Sequence, residues 1–409
     1  MEQLLRNRVV QVTVLSTLFL QIGVWVRNFA ILLFVVDQTD GNPIAVSMIS
    51  IAEFLPIFLF SFIGGAYADR WRPKRTMIWC DALSAVTTLL VLIAILFFSW
   101  KAVFFATLIS SILSQFSQPS GMKLFKMHVP AELTQMGMSL YQTVIAVFMI
   151  FGPILGTVVY ETFGIHVAIA IMGVAFSLSA AVLFGLPEDR KKEKTEDQSI
   201  LQDLAAGIRY VLSHKPLTLL SGCFLSAGLA LGLTQPLAVF LVTERLGLEK
   251  EALQWLLTAN GIGMILGSAV AMAVSKALAP QRLLMLAMAL IAVGIAGAGL
   301  STMLWLTLLL EVLVGIAIPS LHIAISTMIL QFTEEAFVGR VNGILNPLFM
   351  GGMVATMSIA GVLKAQLPIE VIYVLSALLF FLGSLFLLPM TRLPAAANAP
   401  ESFPSKDPG

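Results

Sequence analysis

Apolar residues run along this chain in blocks of about 20 or more, the length a helix needs to cross a hydrocarbon layer. Short charged or Gly/Pro-rich stretches separate the blocks. Cutting at those breaks predicts twelve membrane-crossing helices at residues 9–36, 44–68, 76–98, 102–121, 134–160, 166–186, 216–242, 252–275, 282–300, 303–330, 337–363 and 370–390. The chain therefore reads as an all-α membrane protein of two six-helix halves. The first run is far longer than the ~7–15 residue core of a signal peptide and no small-residue cleavage site follows it, so it is expected to stay as a membrane helix. The longest polar interruption, LPEDRKKEKTEDQSILQDLAAGIRYVLSHKP, divides the halves. Its mixed charges read as a solvated linker holding a short amphipathic helix near residues 200–212. The expected organisation is a first bundle over 1–186, a linker over 187–215, a second bundle over 216–392, and a Pro-rich disordered tail over 393–409.

Composition agrees with the blocks. Of the 409 residues 58% are hydrophobic and 11% charged, whereas soluble domains average about 25% charged. The net charge of +1 leaves no basic excess for nucleic acid. Cys80 and Cys223 fall in apolar runs in different halves and form no disulfide framework or metal site. No cofactor is implied.

Charge placement then sets sidedness. Of the 24 Lys and Arg residues, only Lys101, Arg245, Lys250 and Lys364 fall outside if the N-terminus is cytoplasmic, and Arg27 lies within a span. That bias predicts both termini inside.

After the second span comes GGAYADRWRPKR, where two glycines allow close helix approach and basic residues crowd a short loop. Gly65, Asp69, Arg70 and Lys74 resemble the loop between the second and third helices of the major facilitator superfamily, although Arg72 stands at the second glycine and Pro73 at a basic position. GPILG in the fifth span, with Gly152, Pro153 and Gly156, resembles the superfamily's antiporter motif, with Phe148 and Thr157 replacing two of its glycines. Its proline and glycines predict a bent helix at a tight contact. SKALAPQR repeats the loop weakly with Ser275 at the acid, and EEAFVGRVNG resembles the loop before the eleventh helix of the macrolide-efflux and enterobactin-exporter branch. The resemblance runs from about residue 10 to 390 and implies the major facilitator fold, with a cytoplasmic gate at Asp69 and its basic neighbours. A departure is Ser110, at the fourth-span position where drug exporters of this type often carry an arginine.

Five ionisable residues fall within spans: Arg27, Glu53, Asp81, Glu311 and His322. Such groups are costly in lipid and mark partners, cavities or function. Arg27 lies nine residues before Val36 and Glu53 nine after Ile44, so both sit about 13 Å below the same surface. They form a candidate ion pair, either a structural clamp or a charge pair facing the transport path. Arg27 reaching Glu311 is the alternative. Glu311 shares a helical face with Gly315, Pro319, His322 and Ser326. The resemblance puts this tenth span on the central cavity. Glu311, Glu53 and Arg27 are therefore the proton-coupling candidates. Asp81, near the basic loop, is expected to pair with Arg75 or a nearby lysine as part of the gate. Gln21, Asn28, Gln115, Gln118, Thr234, Gln235 and Asn346 are further polar candidates for the cavity, with Trp25, Phe224 and Phe240 as aromatic ones.

The sequence holds no His-Glu metal motif on a span, no nucleophile elbow and no phosphate-binding loop, which argues against an enzyme and against an ATP-driven pump. The expected function is proton-coupled export of an amphipathic small molecule, of drug or macrolide type, by a monomer in the plasma membrane. Export of a dedicated metabolite or siderophore, or lysolipid transport, is the alternative within transport. An intramembrane enzyme or receptor is the alternative outside it.

Overall fold

The computed structural model describes residues 7–97, 99–129, 131–187, 200–275, 277–334 and 337–391. Regular structure among them is helical throughout, as expected where no water competes for backbone hydrogen bonds and each helix satisfies its own. The first half holds α1 (Arg8–Gln38), α2 (Pro43–Arg70), α3 (Pro73–Phe97), α4 (Ala102–His128) and the long element Ala131–Leu183. That element is broken at Gly164, whose φ of 73° is one that only glycine adopts readily. Its two segments are α5 (131–163) and α6 (165–183). The linker helix is α7 (Ile200–Ser213), followed by α8 (Lys215–Thr234), α9 (Leu253–Val274), α10 (Pro280–Leu300), α11 (Leu304–Phe332), α12 (Val338–Gln366), α13 (Ile369–Leu385) and the short α14 (Leu388–Thr391).

Ten helices are long and apolar enough to cross a membrane among the described residues; one of them, Leu140–Leu183, contains two segments, and the shorter apolar Ala102–Gln118 lies in α4. The twelve expected spans are all present. Two departures stand out. The span expected at 216–242 stops as α-helix at Thr234 and proceeds through short 3₁₀, α and π turns from Gln235 to Arg245, next to Pro236, which cannot donate the helical hydrogen bond. The fourth helix runs on to His128, past the expected end at 121.

The second half repeats the pairing of the first: α2 and α3 pack on α4 as α9 and α10 pack on α11, and α1 packs on the α5–α6 element as α8 packs on α12 and α13. Across the halves α2 meets α12 and α5 meets α9. With an even number of crossings the first and last described residues lie at one end of the bundle, here the near end; the other is the far end. At the far end the halves come close. A Cβ on Gly361 of α12 would stand 2.6 Å from the Pro43 carbonyl oxygen at the start of α2. Thr258 of α9 donates to the Ile150 carbonyl of α5 at 3.1 Å.

Candidate functional site

Arg27 is 5% exposed on α1, and a guanidinium there needs acceptors for five N–H donors. Its Nη2 lies 3.7 Å from Glu53 Oε1 on α2. Nε and Nη2 both donate to Asn28 Oδ1, at 2.9 and 2.8 Å, and Asn28 Nδ2 donates onward to Glu53 Oε1 at 2.9 Å. The Asn28 amide thus bridges the charges, accepting from the base and donating to the acid. Nη1 donates to Ser110 Oγ of α4 at 2.5 Å. Of the two partners open to Arg27, the structure joins it to Glu53, the acid at its own depth. The fourth-span serine that departs from the drug-exporter pattern is an acceptor for an arginine arriving from α1.

Glu311 on α11 belongs to the other half. Asn260 Nδ2 of α9 donates to Glu311 Oε2 at 3.1 Å and to the Glu311 backbone carbonyl at 3.4 Å. No basic side chain among the described residues bonds to this carboxyl. α9 and α11 approach closely here because a Cβ on Gly315 would stand 2.2 Å from the Asn260 carbonyl oxygen. Further along the same face the structure opens, with His322 and Ser326 exposed.

Asp81 requires a correction. It is 3% exposed and is held by hydroxyls: Ser179 Oγ of α6 donates to Oδ2 at 2.6 Å and Ser117 Oγ of α4 to Oδ1 at 3.4 Å. Arg75 and the loop lysines are not its partners. Asp81 lies two helical turns inside α3 and points into the first half, where α4 and α6 meet it, so it cannot turn back to the loop. Lys74, which the loop motif assigns to a gate, donates to the Phe184 and Leu186 carbonyls at 3.1 and 2.5 Å, tying α3 to the end of α6. Gly65, Asp69 and Arg70 fall in the last turns of α2, and the surroundings of their side chains lie outside what the structure describes.

The fifth-helix motif does make the tight contact its composition predicts. A Cβ on Gly152 would stand 2.3 Å from Trp25 Cδ2, and one on Gly156 2.5 Å from Phe29 Cβ, with Pro153 between them inside the helix. Trp25, half-buried, packs into this α1–α5 contact and stacks on Phe29. Phe224 and Phe240 are likewise buried in packing. Gln21 and Gln118 line a cavity within the first half, Gln115 Nε2 donates to Ser114 Oγ at 3.2 Å, Thr234 is buried, and Gln235 and Asn346 are exposed.

Sequence reasoning missed a polar cluster at the far end. Lys250 of the second half is paired with Asp37 at the end of α1. Tyr160 donates to the other oxygen of Asp37 at 2.6 Å, and the lysine lies 5.6 Å from the Tyr160 ring centroid. Glu251 stands 3.6 Å from Lys250. Nearby, Lys364 pairs with Glu244 at 2.7 Å and Arg245 with Glu370 at 3.8 Å. Two hydrogen bonds between the halves, Lys250 to Asp37 and Thr258 to Ile150, lie in the far half of the bundle. Three of the four basic residues that the charge bias leaves on that side are thus engaged in ion pairs. The signal for this was present in the positions of Lys250 and Asp37 at helix ends, but nothing local in the sequence pairs residues 213 apart.

Comparison with known proteins agrees with this geometry. The chain is 28% identical over 331 residues to the multidrug efflux pump Tap of Mycolicibacterium fortuitum, covering 77% of this chain and 79% of that one. It is 26% identical over 356 residues to the uncharacterized MFS-type transporter YkuC of Bacillus subtilis (strain 168), covering 84% and 82%. Among solved structures it resembles the nucleoside transporter NupG with a TM-score of 0.74 at 15% identity, over 95% of this chain and all of that one; that likeness concerns the fold. The Major Facilitator Superfamily profile matches residues 13–249 and 220–406. A multi-pass helical membrane protein with two similarly packed halves, matched over nearly its whole length, belongs to the Major Facilitator Superfamily, a family of transporters rather than enzymes.

Proposed function

We propose that this protein is a proton-coupled exporter of amphipathic small molecules, of the macrolide-efflux and enterobactin-exporter type, working by alternating access. The observation that carries the reading is Glu311, an acid deep in a crossing helix whose described hydrogen-bond partner is a neutral amide, Asn260. Ionisable groups inside crossing helices are rare and mark proton relays and ion paths. Glu53 already has its counter-charge in Arg27, so Glu311 is the exchangeable site and the pair is the fixed one. The apolar composition and the similarity to a multidrug efflux pump support an amphipathic substrate.

The two bundles, 1–186 and 216–392, rock about the linker 187–215. The near end, where the basic residues gather, is the cytoplasmic one in this reading, and contacts at the far end such as Asp37–Lys250 support a form closed to the outside. Gly65, Asp69, Arg70 and Lys74 form the gate that closes the near end in the opposite form. The protein acts as a monomer in the plasma membrane.

Everted vesicles carrying a proton gradient test this. Macrolides, lipophilic cations, siderophores and lysolipids are added in turn. The expected result is a compound that dissipates the gradient with wild type and fails to do so with Glu311→Gln. A compound transported without proton movement, or one that moves protons equally well through Glu311→Gln, overturns the proposal.

A further inference from the structure

On the outer side of the first half, α3 and α4 leave between them an open groove of about 600 Å³, within the ~300–1,000 Å³ of small-molecule sites. Arg75, Trp79 and Leu83 line it at helical spacing along one face of α3, and Leu113 and Phe116 form the α4 wall. That α3 face is turned away from the bundle. Trp79 is 66% exposed and the exposed Leu83, Val86 and Leu90 continue the face, so in a membrane it meets lipid. At the near end the groove is capped by Arg72 and by Trp71, whose ring stacks on Phe116 with centroids 5.8 Å apart. Arg72 and Arg75 stand three residues apart across the first turn of α3, and both are exposed. The Arg72 guanidinium has no ion pair or hydrogen bond among the described residues. From Arg72 to Leu83 the chain rises about 16 Å, close to half of the ~30 Å hydrocarbon core. The groove is therefore basic at the level of lipid headgroups and apolar through the depth of one leaflet.

A groove of similar size, about 580 Å³, lies between α8 and α13 of the second half, lined by Leu219, Leu225, Leu382 and Phe386 among others and by no basic residue. Any acyl chain satisfies such a surface, whatever its headgroup. We propose that the α3–α4 groove binds one anionic phospholipid of the near-end leaflet, with its phosphate held by Arg72 and Arg75 and one acyl chain lying along Trp79, Leu83 and Leu113. A guanidinium presents its donors in a fork that matches phosphate oxygens two at a time. Tryptophan suits the headgroup level, where one side of its ring is apolar and its N–H is wet. Basic pockets between crossing helices on the cytoplasmic side take anionic headgroups, whereas a zwitterionic lipid brings a cation of its own that the two arginines repel. The basic residues of the chain gather at this end, so lipid charge and protein charge are complementary here and not at the α8–α13 groove. The site stands whatever the protein transports and whichever acid carries a proton.

Binding is read without transport. Phosphatidylglycerol or phosphatidylcholine with identical acyl chains is titrated into the purified full-length protein in detergent, with glycerol 3-phosphate as the soluble headgroup alone, and native mass spectrometry counts what is bound. The expected result is one site that takes phosphatidylglycerol about 10- to 30-fold more tightly than phosphatidylcholine and takes no glycerol 3-phosphate at the same concentrations. Arg72→Gln combined with Arg75→Gln erases the preference, Trp79→Ala weakens both lipids alike, and Leu382→Trp in the uncharged groove leaves the preference unchanged. Phosphatidylglycerol with a photoreactive acyl chain cross-links to the α3 and α4 peptides that line the groove. Should the double variant fail to fold, Arg72→Gln alone decides the matter, with the preference falling about 5-fold. Equal affinities in wild type overturn the proposal, as does a preference kept in the arginine variants or a cross-link outside the groove. Glycerol 3-phosphate binding as tightly as the lipid would make this a site for free phosphate esters, and a dimer lost in Trp79→Ala would make the occupant a second copy of the chain; either result overturns it.

Discussion

The two halves share a packing plan but treat buried charge differently. In the first half Arg27 meets Glu53, and Asn28 and Ser110 take up the remaining hydrogen bonds. In the second half Glu311 has one amide partner, Asn260. A charge neutralised within its own half contributes a rigid element whose removal strands its partner. A carboxyl held by an amide can change protonation without leaving an opposite charge exposed to lipid.

The comparison is broken most severely at Arg27. Arg27→Ala leaves Glu53 without its base and should cost about 3–5 kcal/mol in unfolding measured by thermal or denaturant titration in detergent. The double change Arg27→Ala with Glu53→Gln should be less damaging than the sum of the single changes, and additive losses would show that the pair carries no coupling. Next in size is the α1–α5 contact. Gly156→Ala introduces a methyl group 2.5 Å from Phe29 Cβ and 2.7 Å from the Trp25 carbonyl, and overpacking of this kind should destabilise by about 1–3 kcal/mol.

Smaller still is the expected stability effect of Glu311→Gln, about 1 kcal/mol or less, because glutamine can keep a hydrogen bond to Asn260. Its transport effect is large, and that contrast separates a coupling role from a structural one. The smallest change in stability belongs to Lys250→Met. Its partner Asp37 is solvent-exposed, and such pairs contribute about 0–1 kcal/mol. The loss should nevertheless shift the balance between the two forms. Cysteines introduced at the near end should become less accessible to a membrane-impermeant thiol reagent, and unchanged accessibility would exclude a latch at Asp37–Lys250.

Much of the fold was legible because membrane helices announce themselves by length and hydropathy, and twelve runs fell where the helices are. Arg27 and Glu53 could be matched because consecutive antiparallel helices place residues at countable depths. Asp81 could not be read correctly: its partner Ser179 is 98 residues away on α6, and a serine in an apolar run gives no sign of which neighbour it faces. Asn260 escaped for the same reason, being 51 residues from Glu311 on a helix chosen by packing. The packing of Trp25 against Gly152 was not legible either, because composition cannot tell which helix an aromatic ring meets. The proline-driven break after Thr234 left a trace in Pro236, but the apolar run continued through it.

The central claim is that Glu311 carries the coupling proton while Arg27 and Glu53 stay fixed. The most direct measurement reconstitutes Glu311→Gln and wild type with a transported compound and compares two modes, exchange of labelled for unlabelled substrate at equal pH and uptake driven by a pH gradient. The account predicts that Glu311→Gln keeps exchange and loses the response to the gradient. A variant that keeps both would contradict it, and loss of the gradient response in a folded Glu53→Gln variant alone would move the coupling proton to the first half.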